Sequence, residues 1–248
     1  MTLTIQTREI QYTAADGSTL IGYFAAPTQA EPTAGVLVAP EWWGRNEYTE
    51  QRARELAQQG YAALALDMYG DKKVTTTVAD AQKWMMQTFE HPDTIVTRAK
   101  AALDTLAAQD EVDANRLAAI GFCYGGKVVL DLARSGAELK AVATFHAVLS
   151  ANLPAQKDQV KAEILVLHGE DDSMVSMDDV QNFKNEMAAA EVNSQVVVYS
   201  GAKHGFSNPL ADERAKANAV DLGYNAEAEK NSLAAMYQLL DRCLNTAS

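Results

Sequence analysis

Residues 119–127 read AIGFCYGGK. The short apolar run RLAAIGF (116–122) leads into this stretch, and GGKVVLDLARSG (125–136) leads out of it. The first reads as a buried strand. The second has apolar residues at helical spacing. Between them lies Gly121-Phe122-Cys123-Tyr124-Gly125, a G-x-C-x-G pattern. At a strand–turn–helix junction of this form the central residue sits on a sharp turn. Small neighbours let the backbones approach, and the side chain is lifted to the carboxyl end of the sheet, facing the positive end of the helix. A helix dipole and a nearby imidazole both favour the thiolate, which is the nucleophilic form of cysteine. A small buried cysteine packed between glycines would give the same letters. The choice between the two depends on the rest of the chain.

Working outward, short apolar runs alternate with helical patterns. REIQYTAADGSTLIGYFAAP (8–27) alternates in strand fashion around the turn signal Asp16-Gly17. GVLVAP (35–40), YAALALDMYG (61–70), LKAVATFHA (139–147), AEILVLHGE (162–170) and SQVVVYSG (194–201) read as further strands, the second running into a loop. Helices are expected over 47–60, 77–90, 93–109, 125–136, 176–191 and 225–244. The expected fold is α/β: about eight strands in a mostly parallel sheet with helices on both faces and an antiparallel hairpin at one edge. No repeat, low-complexity tract or Pro/Gly-rich linker divides the chain, so residues 1–248 are read as a single domain without a large cap. DKKVTTTVADAQ (71–82) is polar and is the expected flexible loop or lid segment.

The composition narrows the function classes. The 248 residues suffice for one substantial core. A net charge of −12 argues against a nucleic-acid surface and against binding an anionic membrane. No segment approaches the ~20 apolar residues of a membrane span. The first residues lack a basic region followed by an apolar stretch, so a cytoplasmic location is expected. Two cysteines, Cys123 and Cys243, and four scattered histidines give no metal-finger spacing, and neither metal nor cofactor is expected.

An acid and a base follow the nucleophile in order. HGEDDSMV (168–175) contains G-x-x-D-x-x-V, which selects Asp172, with Asp171 as the alternative. An acidic turn capping the next helix would look similar. SGAKHGFSNP (200–209) places His204 in a loop after the last expected strand. His146 also ends a strand and competes for the role of base, although a supporting or pocket-lining place suits it better. His168 ends an apolar strand beneath the acid loop, and His91 lies between helices. The order Cys123, Asp172, His204, each after a strand, is that of α/β-hydrolases rather than of the chymotrypsin or subtilisin groups. Sites in open α/β sheets gather at the carboxyl ends of strands.

With these segments in view, the sequence resembles the dienelactone hydrolase (carboxymethylenebutenolidase-like) family over residues 8–244. The resemblance is carried by PEWWG (40–44), GFCYGG (121–126), HGEDD with the following valine (168–175) and KHGF (203–206). It implies a triad of Cys123, Asp172 and His204, and an oxyanion hole from the backbone N–H groups of Trp42 and Tyr124. It also implies that Glu41 lies beside the thiol and modulates it, and that Trp42, Trp43, Tyr124 and Phe206 form an aromatic pocket. The family holds a substrate carboxylate with arginines. One of those positions, four residues after the histidine, is Asn208 here. For the other, the loop after LALDMYG offers Lys72 and Lys73. Lysine lacks the bidentate fork of arginine.

The expected activity is hydrolysis of a small-molecule ester or lactone through an acyl-thioester, by a monomer or homodimer. His204 accepts the thiol proton directly or through Glu41. Peptide-bond hydrolysis is a variant of the same chemistry. Two other classes stay open at this stage: a thiol redox protein and a non-catalytic binding module on the same scaffold. The first lacks a C-x-x-C pair, and the second leaves an ordered triad without a purpose.

Overall fold

The computed structural model describes residues 3–91 and 93–245. The strands are β1 (Ile5–Thr13), β2 (Thr19–Pro27), β3 (Thr33–Ala39), β4 (Ala62–Ala65), β5 (Val112–Phe122), β6 (Ala141–Phe145), β7 (Glu163–Gly169) and β8 (Ser194–Tyr199). The helices are α1 (Glu47–Gln58), α2 (Val78–Phe89), α3 (Thr94–Ala107), α4 (Tyr124–Arg134), α5 (Met177–Ala189), α6 (Ala211–Asn218) and α7 (Ala226–Leu244). All eight strands form one sheet, ordered β1-β2-β4-β3-β5-β6-β7-β8. The β1–β2 hairpin and the β2–β4 pair are antiparallel, and every pairing from β4 to β8 is parallel. No large cap covers the sheet among the described residues, and no helix there is long and apolar enough to cross a membrane.

The central strands are apolar on both faces because both faces are covered. Along β3, Leu37 and Ala39 join one apolar layer while Val36 and Val38 join the other, as the two-residue period of a strand requires. The first layer is completed by α3, α4 and α5, through residues such as Leu103, Val128 and Phe183. The second is completed by α1 and α7, whose Leu56, Met236 and Leu240 are buried. Met236, Leu239, Leu240 and Leu244 recur at helical spacing and account for the docked face of α7. Burying one such leucine contributes about 1.5–3 kcal/mol.

Four local expectations are corrected. β1 starts at Ile5, and β5 reaches back to Val112 through a register shift opposite Ala34 and Gly35. Residues 71–82 are not one loop: Thr77 caps α2 by accepting from the Asp80 N–H, so the helix begins at Val78. Helix α6 was not expected. Ala211 is its one buried residue, so it carries no apolar stripe for periodicity to reveal.

The glycines around Cys123 are set by contact distance. A β-carbon on Gly121 would lie 2.1 Å from the Gly125 carbonyl oxygen, and one on Gly125 would lie 2.3 Å from that of Ala39. The ends of β5 and β3 and the start of α4 therefore touch through backbone alone. Gly125→Ala should destabilise the fold by about 3 kcal/mol. At about 2–4 °C per kcal/mol for a chain of this size, thermal unfolding should show a Tm lowered by about 6–12 °C.

Candidate active site

Cys123 stands between β5 and α4 with φ 53° and ψ −116°. A non-glycine residue there stores about 1–3 kcal/mol of strain. The surroundings hold it in place: its N–H donates to the Phe145 carbonyl at 3.0 Å, and its carbonyl accepts from the N–H of Gly126 at 3.0 Å. The side chain is half-buried and faces a cavity. Neither cysteine is in a disulfide.

The acid loop leaves β7 at Gly169. Asp172 Oδ1 accepts from the N–H groups of Met174 (2.8 Å) and Val175 (2.9 Å), which turns Oδ2 toward His204 Nδ1 at 2.8 Å. Asp171 is exposed, and its N–H donates to the Ala202 carbonyl. Asp172 is thus the aspartate brought to the histidine. Burial pushes the Asp172 carboxyl up, but the His204 hydrogen bond and the two N–H donors outweigh it and hold the group below its ordinary 3.8. His204 is buried, and its Nε2 makes no hydrogen bond. Burial opposes a charge on this ring. Negative charge at Cys123 and the Asp172 carboxylate more than offset burial and push its pKa up to about 10. The stability contributed by the raised histidine is therefore whole below about 6.5 and lost as pH climbs through about 10. The share from Asp172 is present above 3.8 and lost on acidification.

His146 lies behind His204 rather than in the base position, with ring centroids 5.2 Å apart. It is fully buried, and its Nε2 pairs with Ser207 Oγ at 2.8 Å, which in turn meets the Tyr48 hydroxyl at 2.9 Å. Burial, reinforced by the charge on His204, holds the His146 pKa well below 6.5, so the ring stays neutral. His168 is buried under the acid loop with neither ring nitrogen paired.

Glu41 lines the same cavity as Cys123 but is bonded elsewhere. Its Oε2 accepts from Asn208 Nδ2 at 2.7 Å and from Arg214 Nη1 at 3.2 Å. Burial raises the Glu41 pKa despite these partners. Arg214, on the unexpected helix α6, also lies over the Trp43 ring at 4.9 Å. Arg214 is the residue that sequence reading missed; only its position ten residues after His204 hinted at it. Lys72 instead pairs with Glu9, through contacts of 2.8 and 2.9 Å on the hairpin.

The cavity holds about 230 Å³. Trp42 and Trp43 line it and meet edge-on at 5.1 Å. Phe206 and Asn208, expected in the pocket, do not reach its wall: both are buried, Phe206 against His146 and Asn208 against Glu41. The Tyr124 side chain is also in the core, its hydroxyl 2.7 Å from that of Thr88, so only its backbone is near the site. The Tyr69 hydroxyl donates to the Trp42 carbonyl at 3.0 Å and orients that peptide. One wall is the segment after β6, residues 148–150. It is fixed by two buried cations of α4: Lys127 donates to the Ser150 carbonyl at 2.8 Å and Arg134 to that of Leu149 at 3.0 Å. Among the described residues no cluster of three or more His, Cys, Asp or Glu has the arrangement of a metal site.

A parallel sheet with a strained cysteine at a strand–helix turn, and a histidine–aspartate pair at the carboxyl ends of later strands, defines an α/β-hydrolase. The model of the dienelactone hydrolase family matches residues 20–244, and the chain belongs to that family of hydrolases. The solved structure called m3DLH is 39% identical, with a TM-score of 0.91 over 97% of this chain and 99% of that one. A second, a dienelactone hydrolase-like promiscuous phosphotriesterase, P91, from metagenomic libraries, is 36% identical, with a TM-score of 0.88 over 96% and 98%. Among curated proteins, the "Putative carboxymethylenebutenolidase" of Escherichia coli (strain K12) is 27% identical over 217 residues, 84% of this chain and 80% of that protein.

Asp172→Asn removes the negative partner of His204 Nδ1. The His204 ring should then titrate about 1–3 pH units lower, which nuclear magnetic resonance of the imidazole nitrogens measures. A ring that keeps its proton as in the wild type would mean that Cys123 alone holds it.

Proposed function

We propose that the chain hydrolyses carboxylic esters or lactones through an acyl-thioester on Cys123. The observation that carries this reading is the common cavity: Cys123 and His204 both line it, and His204 is tied to Asp172 at 2.8 Å. His204 takes the thiol proton, and Cys123 attacks as the thiolate. Sulfur bonds to the carbonyl carbon, and the C=O π pair moves onto oxygen. That oxyanion is received by the N–H groups of Tyr124 and Trp42. The Tyr124 N–H opens α4, where helix N–H groups have no partner within the helix. Such donors contribute about 3–4 kcal/mol each in well-studied hydrolases.

Collapse of the tetrahedral species breaks the C–O bond. The departing alkoxide takes the proton from His204 and leaves as the alcohol, with the acyl group on sulfur. His204 Nε2 then removes a proton from water as the water attacks the thioester. The acid departs, and thiolate and protonated histidine are restored. Asp172 orients the ring and stabilises its cation. Glu41, bonded to Asn208 and Arg214, is a buried carboxyl at the edge of the same cavity and modulates the thiol when it swings toward it. The likeness to P91 supports adding a neutral aryl phosphotriester, attacked at phosphorus by the same sulfur, to the substrates tried.

Stopped-flow release of p-nitrophenol from p-nitrophenyl pentanoate tests the reading. The wild type should show a burst of about one equivalent per chain, absent in Cys123→Ala. Asp172→Asn should lower kcat by about 10⁴-fold while the protein stays folded. A burst that survives Cys123→Ala would overturn the assignment.

A further inference from the structure

Apart from the His204 ring, which is tied to Asp172, the charged side chains lining the cavity are acidic. Its carboxylates are Glu41 and Asp179, and no lysine or arginine is among its lining residues. Asp179 is committed to the start of α5, where Oδ2 accepts from the N–H of Ser176 at 2.8 Å and from its Oγ at 2.7 Å. Arg214 is the neighbouring cation. It stands behind Glu41, bonded to its Oε2 and laid over Trp43, and does not line the cavity. A substrate carboxylate entering here meets two acidic groups and an occupied guanidinium. The chain's charge of −12 adds long-range repulsion.

Apart from Ser150, the remaining wall is apolar and comes from four separate segments. Met85 projects from α2, Val148 and Leu149 from the strip after β6, Met174 from the acid loop and Leu222 from the segment before α7. Methionine is flexible and polarizable and fits irregular apolar groups. The volume of about 230 Å³ is below the ~300–1,000 Å³ of sites for drug-sized ligands, and an apolar cavity of ~150 Å³ already holds a benzene ring.

We infer that this site selects uncharged esters with a small apolar acyl or aryl group and rejects esters whose acyl chain carries a carboxylate. The inference rests on the reading of Cys123 as the nucleophile and adds the class of substrate. A carboxylate on the acyl group loses hydration on entry and finds no lysine or arginine in the wall to pair with.

Two esters of equal acyl length separate the cases: p-nitrophenyl pentanoate, which is neutral, and mono-p-nitrophenyl glutarate, which carries a terminal carboxylate at pH 7. The expected kcat/KM ratio, corrected for each ester's spontaneous hydrolysis, favours the pentanoate by about 100-fold or more. Asp179→Asn should narrow that ratio about three-fold by removing one repulsive carboxylate. Equal or faster turnover of the glutarate overturns the inference. If that turnover disappears in Arg214→Met, the carboxylate has displaced Glu41 from its arginine. Turnover of both esters that persists in Cys123→Ala overturns the nucleophile instead, while the ratio still reports on the cavity. No turnover of either ester by the wild type overturns both readings.

Discussion

The site depends on two β-carbons that are not there. Gly121 and Gly125 let the end of β5, the first turn of α4 and the end of β3 meet through main-chain atoms. Any side chain at these positions would push the helix away from the sheet. The contact forces the chain to reverse within one residue, and that residue is Cys123, held at positive φ by bonds from its own N–H and carbonyl. The thiol is thereby raised above the sheet at the positive end of a helix. The same approach brings the β3–α1 loop, with Glu41 and Trp42, to the edge of the thiol's cavity.

Electrostatics then sorts the titratable groups. Four groups that could carry charge crowd one small, buried region: two are driven toward a charge and two toward neutrality. His204 lies between Asp172 and Cys123 and is pushed toward its cation. His146, directly behind it, is forced neutral by burial and by that cation. Asp172 is stabilised as an anion by two backbone N–H groups and the histidine. Glu41 is pulled toward its neutral form by burial and is spared by Asn208 and Arg214 only in part. Environments that push neighbouring groups apart in this way are what acid–base chemistry near neutral pH requires.

Much of this was legible in the sequence for identifiable reasons. β3, β5, β6 and β7 are short apolar runs because both their faces are buried, and α7 shows its docked face at helical spacing. Asp172 and His204 could be placed because each follows a strand at the sheet's carboxyl end. Helix α6 and Arg214 were hidden because a helix with a single buried residue leaves no apolar period. The pocket was misjudged for a related reason. Phe206 and Asn208 sit beside His204 in the chain, but neighbours along a tight loop face opposite ways, and both turn into the core. The true walls, Met85, Leu149 and Leu222, come from segments far apart in the chain, which no local pattern connects.

The strip that forms one side of the cavity is tied down by the carbonyl oxygens of Leu149 and Ser150 and by the buried Leu149 side chain. The anchors, Lys127 and Arg134, belong to α4, the helix that follows the Cys123 turn. Every amino acid supplies the same carbonyl, so replacements at 148 and 150, whose side chains are not in the core, keep the anchorage while changing what the cavity wall presents. Selection can therefore reshape the preferred substrate along this strip at little risk to the reactive geometry. A lineage on this scaffold can diversify its chemistry of recognition while inheriting its chemistry of bond cleavage unchanged.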